Sequence, residues 1–461
     1  MGWTYGKKVY NDGSRYEGNF YDGLRHGEGV YYYTNGNVYK GNWYKGDRQG
    51  RGILYLSTGV ILKAWWECNK VEKGTFIYPN GDEYDGDIKN LLKHGKGMIT
   101  YANGNKYIGS FQNGKKHGSG VMFYANGNSS DVEYEDGVLL FEKIKYVNGD
   151  EYLGETKNGL CDGAGAYSFA NGDRYEGYFK DDQKHGGGTY FCANGDVFYG
   201  TWDNNVIEGQ GKFVGHDGTI VEGYYHNGFL YHGLKKYANG KVYYGEFDDQ
   251  GEKDGYGITK YPNGDLYHGE YVSGEKNGYG IYHYSTKQRY CGQFKNDLIN
   301  GFGIFEGEEG TYYGQFYNGK KDGYGVVFDT NGDFLGHAIW EQDKLKEPIE
   351  DPNAFVGIED SDLIYRFYID NMLLVGLWND SSELVEGIVK LSNGYIRIGA
   401  FKNFQSQGKT LEVVPSNDEG MLCAITEYGN GRKNGIAVVY YKDGNVLKAK
   451  YLNDEFVEQY Y

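Results

Sequence analysis

Residues 16–38, which read YEGNFYDGLRHGEGVYYYTNGNV, have the alternation of two β-strands. Tyr16, Gly18 and Phe20 fall on one face of the first strand, and the residues between them are polar. Gly29 and Tyr31 share a face of the second strand in the same way. Asp-Gly and Asn-Gly pairs, which favour tight turns, follow the two strands. The pattern predicts one β-hairpin.

The same pattern recurs along most of the chain. Copies begin at residues 39, 62, 84, 107, 130, 152, 175, 198, 221, 243, 267, 290, 312 and 334. A fixed spacing of about 22 to 24 residues is typical of a repeat architecture. The sequence therefore predicts an all-β array of antiparallel hairpins.

Three short motifs carry a family resemblance. They are YEGNF at residues 16–20, GEG at residues 27–29 and NG at residues 35–36, with similar runs such as YDGDI from residue 84, YIGSF from residue 107 and YEGYF from residue 175. The pattern resembles the MORN (membrane occupation and recognition nexus) repeat over about three quarters of the chain. The resemblance implies an elongated, single-layer antiparallel solenoid. At two strands of about 4.8 Å per repeat, twist and curvature included, its length is about 130 Å or less.

Departures from the pattern divide the chain. Residues 1–15 are predicted to cap the first hairpin, and residues 16–340 to form the repeat solenoid. A degenerate copy near residues 130–151 marks a bend between two stretches of solenoid. Residues 341–370 contain two prolines and no turn register, which favours a linker or edge loop. Faded repeats at residues 371–461 predict a C-terminal cap, with a separate small domain as the alternative.

The recurrent glycines share a face with the aromatic rings. A Tyr or Phe ring of one strand is therefore expected to lie over a glycine of the next strand, which has no Cβ to obstruct it. On this hypothesis a larger side chain at Gly97 overpacks the repeat.

Composition narrows the class of partner. The chain has 461 residues with 76 glycines and 50 tyrosines, and its net charge is −17. That charge disfavours nucleic acid and anionic membranes, which attract basic proteins. The five cysteines are scattered without CxxC spacing, so a disulfide framework or zinc site is not indicated. Without an apolar leader or membrane-length segment, the protein is expected to be soluble and cytoplasmic.

A basic edge is the first candidate binding site. Cationic residues precede the GxG glycines of several repeats: Arg25, Arg48, Lys93, Lys116 and Lys184. They could line one long edge and meet lipid phosphate or an acidic protein surface; the alternative is a set of solvated turn residues. Asp162, Asp254 and Asp322 occupy comparable places in later repeats, which predicts that the edge is confined to the N-terminal part. Neighbouring repeats lie too far apart, about 9.5 Å, for their histidines to share a metal ion.

Aromatic side chains are the second candidate. Tyr32 and Phe123 alternate away from the glycine face and could contact a partner protein. The alternative is that they only cover the opposite side of the sheet.

No catalytic or phosphate-binding constellation stands out, so neither an enzyme nor a cofactor is predicted. The leading hypothesis is a non-catalytic scaffold that binds other proteins. Resemblance to MORN proteins of cilia and of the membrane-associated cytoskeleton implies an axonemal or cortical complex, and homo-oligomerisation is left open. The alternative is a peripheral membrane adaptor that binds phosphoinositide head groups. A surface module that binds glycans or choline is a third possibility.

Overall fold

The computed structural model describes residues 2–157, 159–349, 356–357, 363–369, 372–415 and 420–460. The described residues form antiparallel strands and contain no helix, which confirms the predicted all-β hairpin architecture. The chain divides into two compact units, Met1–Asn194 (unit 1) and Gly195–Tyr461 (unit 2).

Unit 1 is a succession of hairpins. Its strands are β1 (Trp3–Val9), β2 (Arg15–Tyr21), β3 (Leu24–Tyr32), β4 (Val38–Tyr44), β5 (Asp47–Tyr55), β6 (Ile61–Glu67), β7 (Lys70–Ile77), β8 (Glu83–Lys89), β9 (Leu92–Thr100), β10 (Lys106–Gln112), β11 (Lys115–Phe123), β12 (Ser129–Glu135), β13 (Val138–Lys145), β14 (Glu151–Lys157), β15 (Leu160–Ser168), β16 (Arg174–Lys180) and β17 (Gln183–Phe191). Strand β1, in the region predicted as the cap, pairs with β2.

The two glycines of each GxG pair have different tasks. Gly27 has a φ of 64° and lies at a β-bulge, where the register between β2 and β3 shifts. Gly29 pairs with Gly18 across the strands, beneath the ring of the fully buried Tyr16. The tyrosine hydroxyl donates a hydrogen bond to the Asn19 carbonyl oxygen at 2.9 Å. The predicted placement of rings over glycines is therefore found in this hairpin.

Fewer residues pair across the strands in the degenerate copy. Ser130 and Val132 replace the usual tyrosine and glycine. Strand β13 pairs with β14 only through residues 143–145, whereas the neighbouring ladder between β11 and β12 has six residue pairs. Val138 and Leu140, which precede the paired residues, are about 60% exposed (63% and 60%). Loss of the tyrosine–glycine contact therefore coincides with a shortened ladder.

Unit 2 contains two sheets. The first consists of β18 (Val197–Asp203), β19 (Val206–Val214), β20 (Ile220–His226), β21 (Phe229–Lys236), β22 (Val242–Phe247), β23 (Lys253–Lys260), β24 (Leu266–Val272), β25 (Glu275–His283), β26 (Arg289–Lys295), β27 (Leu298–Gly307), β28 (Gly310–Tyr317), β29 (Lys320–Phe328), β30 (Phe334–Glu341) and β31 (Lys344–Pro348). The second, the C-terminal sheet, consists of β32 (Val356–Gly357), β33 (Leu363–Ile369), β34 (Met372–Trp378), β35 (Leu384–Lys390), β36 (Ile396–Lys402), β37 (Gln405–Val413), β38 (Met421–Gly429), β39 (Arg432–Tyr441), β40 (Val446–Leu452) and β41 (Glu455–Gln459).

The two sheets of unit 2 pack face to face. Ile281, Ile304 and Val326 of the repeats share one buried core with Val375 and Ile398 of the C-terminal sheet, and each is at most 1% exposed. The expected single layer therefore describes unit 1, whereas these repeats of unit 2 have a second layer. The physical reason is apolar area on both sides of the sheet, since a sheet that is apolar on both faces must bury both.

Part of the predicted linker is ordered as strands. Two strands lie within the interval 341–370: β31, which pairs with β30, and β33, which pairs with β34. Residues 350–355, 358–362 and 370 of that interval lie outside the described residues. The division into cap, solenoid, linker and C-terminal repeats stays a prediction.

Candidate functional site

The repeat sheet has two chemically different faces. We call the side that carries the repeat tyrosines, such as Tyr16, Tyr84 and Tyr107, the aromatic face. These three tyrosines are fully buried beneath neighbouring rings, and the stacking continues from repeat to repeat. The side that carries the intervening residues of each strand is called the opposite face.

The predicted basic residues lie on the aromatic face rather than projecting from its edge. Each is half-buried, and its cationic group lies over rings of its own and neighbouring strands. The shortest separations from cationic group to ring centroid are 4.3 Å for Arg25 (Trp43), 4.0 Å for Arg48 (Trp66), 5.3 Å for Lys93 (Tyr78), 4.6 Å for Lys116 (Tyr107) and 4.6 Å for Lys184 (Tyr190). These are cation–π distances.

The two arginines are engaged in contacts between repeats. Arg25 donates from Nη2 to the Gly46 carbonyl oxygen at 2.6 Å, and Arg48 donates from Nη2 to the Asn69 carbonyl oxygen at 2.9 Å. Both acceptors lie in the next hairpin turn along the chain. These guanidinium groups therefore hold adjacent repeats together.

Lys93 and Lys116 occupy the same position in adjacent repeats but lack such an acceptor. Lys116 donates only a long hydrogen bond, 3.4 Å, to the Tyr134 hydroxyl. Among the described residues, no carboxylate forms an ion pair with either ammonium group. Burial lowers the pKa of Lys93, and burial with the charge of Lys93 lowers the pKa of Lys116 to about 8.

The cationic position continues into unit 2, which corrects the predicted confinement to the N-terminal part. The carbonyl of this residue accepts a hydrogen bond from the next hairpin turn, as for Lys93 and Gly114. Lys253, Lys276 and Lys321 accept the same bond in unit 2. Asp162, Asp254 and Asp322 each follow this position by one residue, the place that His94 and His117 occupy in their repeats. The sequence comparison was wrong by one register step.

At Lys276 of unit 2 the protein supplies its own counter-ion. Asp297, the turn residue that donates its N–H to the Lys276 carbonyl, also places its carboxylate 3.3 Å from the Lys276 ammonium. The turn residues that make the same backbone bond to Lys93 and Lys116 are Gly114 and Gly137.

The opposite face of unit 1 forms an open groove of about 980 Å³. Its lining combines apolar side chains, carboxylates and two lysines: Met98, Ile108, Val121 and Phe141 with Asp85, Asp87, Asp131, Glu133, Lys73 and Lys96. Asp87 accepts a hydrogen bond from the Lys96 backbone N–H at 2.9 Å and lies 3.4 Å from the Lys73 ammonium.

Tyr32 and Phe123 also belong to this face but do not line the groove. Tyr32 is half-buried beneath the Arg15 guanidinium, which is 3.9 Å from the ring centroid, and Phe123 is 43% exposed. They lie in strands β3 and β11, so the structure does not bring them together. Their role as partner contacts stays a prediction.

In unit 2 the opposite face carries polar groups that the sequence did not identify as contacts. Glu246 and Glu270, at the fourth position of their repeats, accept bonds from a neighbouring strand and from Lys448 and Lys409 of the C-terminal sheet. Gln293, at the next equivalent position, donates to Glu386 at 2.8 Å. The contacts to the C-terminal sheet join positions at least 93 residues apart, beyond the reach of a local pattern.

The described part of the chain shows no group of metal-ligating side chains and no helical segment with the length and hydropathy of a membrane span. Burial raises the pKa of the Cys161 and Cys291 thiols to about 12. Both thiols are therefore uncharged near neutral pH, a state that disfavours nucleophilic or metal-binding roles.

The MORN repeat model matches residues 16–38, 39–60, 66–83, 84–106, 107–129, 152–174, 175–197, 198–220, 243–266, 267–289, 290–311 and 312–334. These twelve repeats cover more than half of the chain. The chain belongs to the MORN-repeat family. MORN repeats form scaffolds for binding proteins or membrane lipids. The degenerate copy at residues 130–151 and the C-terminal sheet lie outside the matched repeats.

Similar solved structures are remote. The TCP domain of Drosophila melanogaster SAS-4, in complex with a proline-rich motif of Ana2, is 11% identical; the match covers 38% of this chain and 90% of that chain, with a TM-score of 0.24. The TCP10 domain of Danio rerio CPAP, in complex with a Danio rerio STIL peptide, is 13% identical; the match covers 54% of this chain and 96% of that chain, with a TM-score of 0.20. No curated protein matches the chain. Likenesses at these TM-scores carry no argument about function.

Proposed function

We propose that this MORN-repeat chain is a non-catalytic scaffold that binds partner proteins on the opposite face of unit 1. The observation that carries the proposal is the contrast between the two units. In the unit 2 repeats that contain Ile281, Ile304 and Val326, the opposite face is buried beneath the C-terminal sheet, through an apolar core edged by polar contacts. The described residues of unit 1 form one sheet and provide no second layer over the same face.

The uncovered face is rich in exposed apolar side chains. Its exposed members include Trp65, Ile108, Phe123, Leu153 and Tyr178, with exposures between 43% and 63%. Large exposed apolar areas that are edged by polar residues are typical of protein interaction sites. The groove is edged by Asp85 and Glu133 and also by Lys73 and Lys96, which favours a partner with polar groups of both charges around an apolar centre.

A ciliary (axonemal) or cortical cytoskeletal complex is the proposed setting, in the cytoplasm. Its support is the resemblance to MORN proteins of cilia and cytoskeleton. A phosphoinositide adaptor is the competing function. Against it stand the net charge of −17 and the half-buried position of the basic residues over aromatic rings, which keeps their cations from a flat membrane surface.

The test is affinity capture from a ciliated-cell lysate with the full-length protein, an Ile108→Asp variant and a Leu92→Asp variant. Ile108 lines the groove and is 48% exposed, whereas Leu92 is 47% exposed and lies outside the groove lining. We expect the same set of axonemal or cortical proteins with the parent and Leu92→Asp, and its loss with Ile108→Asp.

Detergent and liposomes separate the two functions. A protein scaffold retains its partners after detergent solubilisation of the lysate. If captured material disappears with detergent, and the pure protein co-sediments with phosphoinositide liposomes in a salt-sensitive manner, the lipid adaptor replaces the scaffold. Equal capture by both variants would remove the groove as the binding surface.

A further inference from the structure

We propose that Lys93 and Lys116 form a binding site for the carboxylates of an extended acidic peptide. The site lies on the aromatic face of unit 1, so it goes beyond the proposed function, which uses the opposite face. It is the only pair of adjacent repeats in the described residues where two lysines occupy the cationic position and neither ammonium has an ion-pair partner.

The two ammonium groups are held in place by aromatic rings. Lys93 lies over Tyr78, Tyr84 and Phe111, with Nζ between 5.3 and 5.9 Å from the ring centroids. Lys116 lies over three rings in the same way, those of Tyr101, Tyr107 and Tyr134, at 4.6 to 5.4 Å. Six rings thus fix two partly desolvated cations side by side, an arrangement in which an anion is bound more strongly than in water.

The matching position of unit 2 shows which ligand fits. There the Lys276 ammonium is 3.3 Å from the carboxylate of Asp297, and Asp297 also donates its backbone N–H to the Lys276 carbonyl. Gly114 and Gly137 make the same backbone bond to Lys93 and Lys116 but have no side chain. The site in unit 1 therefore has the cations and rings of the Lys276 site without a carboxylate of the described residues at ion-pair distance; Asp82 and Glu142 act on Lys93 and Lys116 only from farther away.

The repeat spacing sets the geometry of the ligand. Neighbouring strands lie about 4.8 Å apart, so equivalent side chains of adjacent repeats are about 9.6 Å apart. A polyproline II chain has three residues per turn and rises about 3.1 Å per residue, so every third side chain points the same way at intervals of about 9.3 Å. A peptide with an acidic residue at every third position can therefore engage Lys93 and Lys116 together.

A peptide fits this site better than a membrane does. Both lysines are half-buried among the rings, so a ligand has to enter between the aromatic side chains to reach them. A single extended chain is narrow enough to do so, and its backbone and prolyl rings can pack on the tyrosines. Head groups in a flat bilayer are held at the surface plane and reach only cations that protrude.

The binding experiment uses the full-length protein and a fluorescein-labelled peptide of four Glu-Pro-Pro repeats, followed by fluorescence anisotropy at low salt. We expect saturable binding that weakens with salt and is at least about tenfold tighter than that of the Gln-Pro-Pro peptide, which corresponds to about 1.4 kcal/mol. A peptide of the same composition with its glutamates at every second position should bind more weakly, because no two of its carboxylates are then three residues apart.

Two sets of variants locate the site. Lys93→Met with Lys116→Met removes the charges but keeps the side-chain length, and should abolish the preference for the Glu peptide. Gly114→Asp with Gly137→Asp supplies the carboxylates that unit 2 has at Asp297, and should block the peptide. Gly114→Asn with Gly137→Asn is the matched control, since Asn tolerates the same positive φ without a charge.

A Cβ at Gly114 or Gly137 would have its nearest neighbour at 3.7 Å, an ordinary contact, so both turn variants have room.

Blocking of the peptide by the Asp variant but not by the Asn variant supports the proposal. Equal binding by the parent and the Lys93→Met, Lys116→Met variant overturns it. It is also overturned if that variant loses binding to phosphatidylserine vesicles while no protein binds the Glu peptide. Ile108→Asp should leave peptide binding unchanged, so failure of this site and failure of the scaffold surface are distinguishable.

Discussion

The ring of Tyr84 lies directly over Gly97 of the adjoining strand. A Cβ placed on Gly97 would be 2.5 Å from the tyrosine hydroxyl oxygen, closer than two such atoms approach in proteins. Tyr84 is fully buried and donates a hydrogen bond to the Asp87 carbonyl oxygen at 2.6 Å, so its ring cannot move away without loss of that bond. The repeat therefore depends on a glycine for the position of its largest side chain.

Gly97→Val should destabilise the protein by about 1 to 3 kcal/mol, because the added side chain overpacks the space occupied by Tyr84. The measurement is the free energy of unfolding in urea, followed by tryptophan fluorescence and by hydrogen exchange of strands β8 and β9. Melting and exchange identical to those of the parent would contradict this packing account.

Gly187→Val is the matched control. Gly187 is the middle residue of a GGG run in β17, it is exposed, and a Cβ there would meet no atom within 4 Å. Lys96 and Ser119 occupy the same position in β9 and β11. Valine at Gly187 should therefore change the free energy of unfolding by less than about 0.5 kcal/mol, the range of ordinary surface substitutions.

The hairpins and the tyrosine–glycine packing could be predicted because both depend on neighbours within one repeat. Tyr84 and Gly97 are 13 residues apart, and the period-2 pattern fixes their common face. The sequence also reveals the cationic position in the first repeats. In later repeats the alignment shifts by one residue: Lys253, and not the predicted Asp254, is equivalent to Lys93. A comparison anchored on the following glycine, Gly255, finds the correct residue.

The second layer of unit 2 could not be predicted from repeat spacing, because its contacts join positions such as Gln293 and Glu386. A local signal was nevertheless present. Strand β34 of the C-terminal sheet, which reads MLLVGLW, has apolar residues on both faces. Strands that are apolar on both sides are typical of sheets covered on both sides.

Ile304→Ala tests that covering layer. Ile304 is 1% exposed and lies in the core between the two sheets of unit 2, so its truncation should lower the free energy of unfolding by about 2 to 5 kcal/mol. Hydrogen exchange should report lost protection in both β27 and β36.

The matched control for this test is Ile53→Ala. Ile53 follows the second GxG glycine of its repeat, as Ile304 does, but it is only half-buried because no second sheet of unit 1 covers that face. Ile53→Ala should lower the free energy of unfolding clearly less than Ile304→Ala does. Equal losses at the two positions would show that the C-terminal sheet contributes little to the stability of unit 2.

Acidification should destabilise unit 2 through a pair of buried histidines. Burial lowers the pKa of His268 to about 3 and that of His283 to about 4, from a usual value of 6.5. Their rings are 5.9 Å apart, and His268 lies 5.5 Å from Tyr440 of the C-terminal sheet. Below pH 6.5 the two histidines bind protons in the unfolded chain but not in the folded chain. The free energy of unfolding should therefore fall as the pH drops from about 6.5 towards 4.

The readout is the difference in pH dependence between the parent and a His268→Phe variant, since Arg289, Glu306 and other charged groups near the pair titrate or interact in both proteins. The variant should lose less stability over that pH interval. Parallel curves for the two proteins would show that His268 is protonated as easily in the folded state as in the unfolded chain.

Replacing Tyr32 and Phe123 with serine should weaken partner capture without loss of the fold. Phe123 is 43% exposed, and Tyr32 is half-buried with the Arg15 guanidinium over its ring, so neither ring belongs to the buried ladder of tyrosines. Exposed aromatic side chains bury more solvent-accessible surface on binding than most residues do, so their removal lowers affinity strongly. Tyr317→Ser, at a 56% exposed tyrosine in unit 2, is the control for a general loss of surface aromatics. Unchanged capture by the double variant, with a parent-like melting curve, would contradict the assignment of Tyr32 and Phe123 as partner contacts and leave the groove around Ile108 as the surface to test.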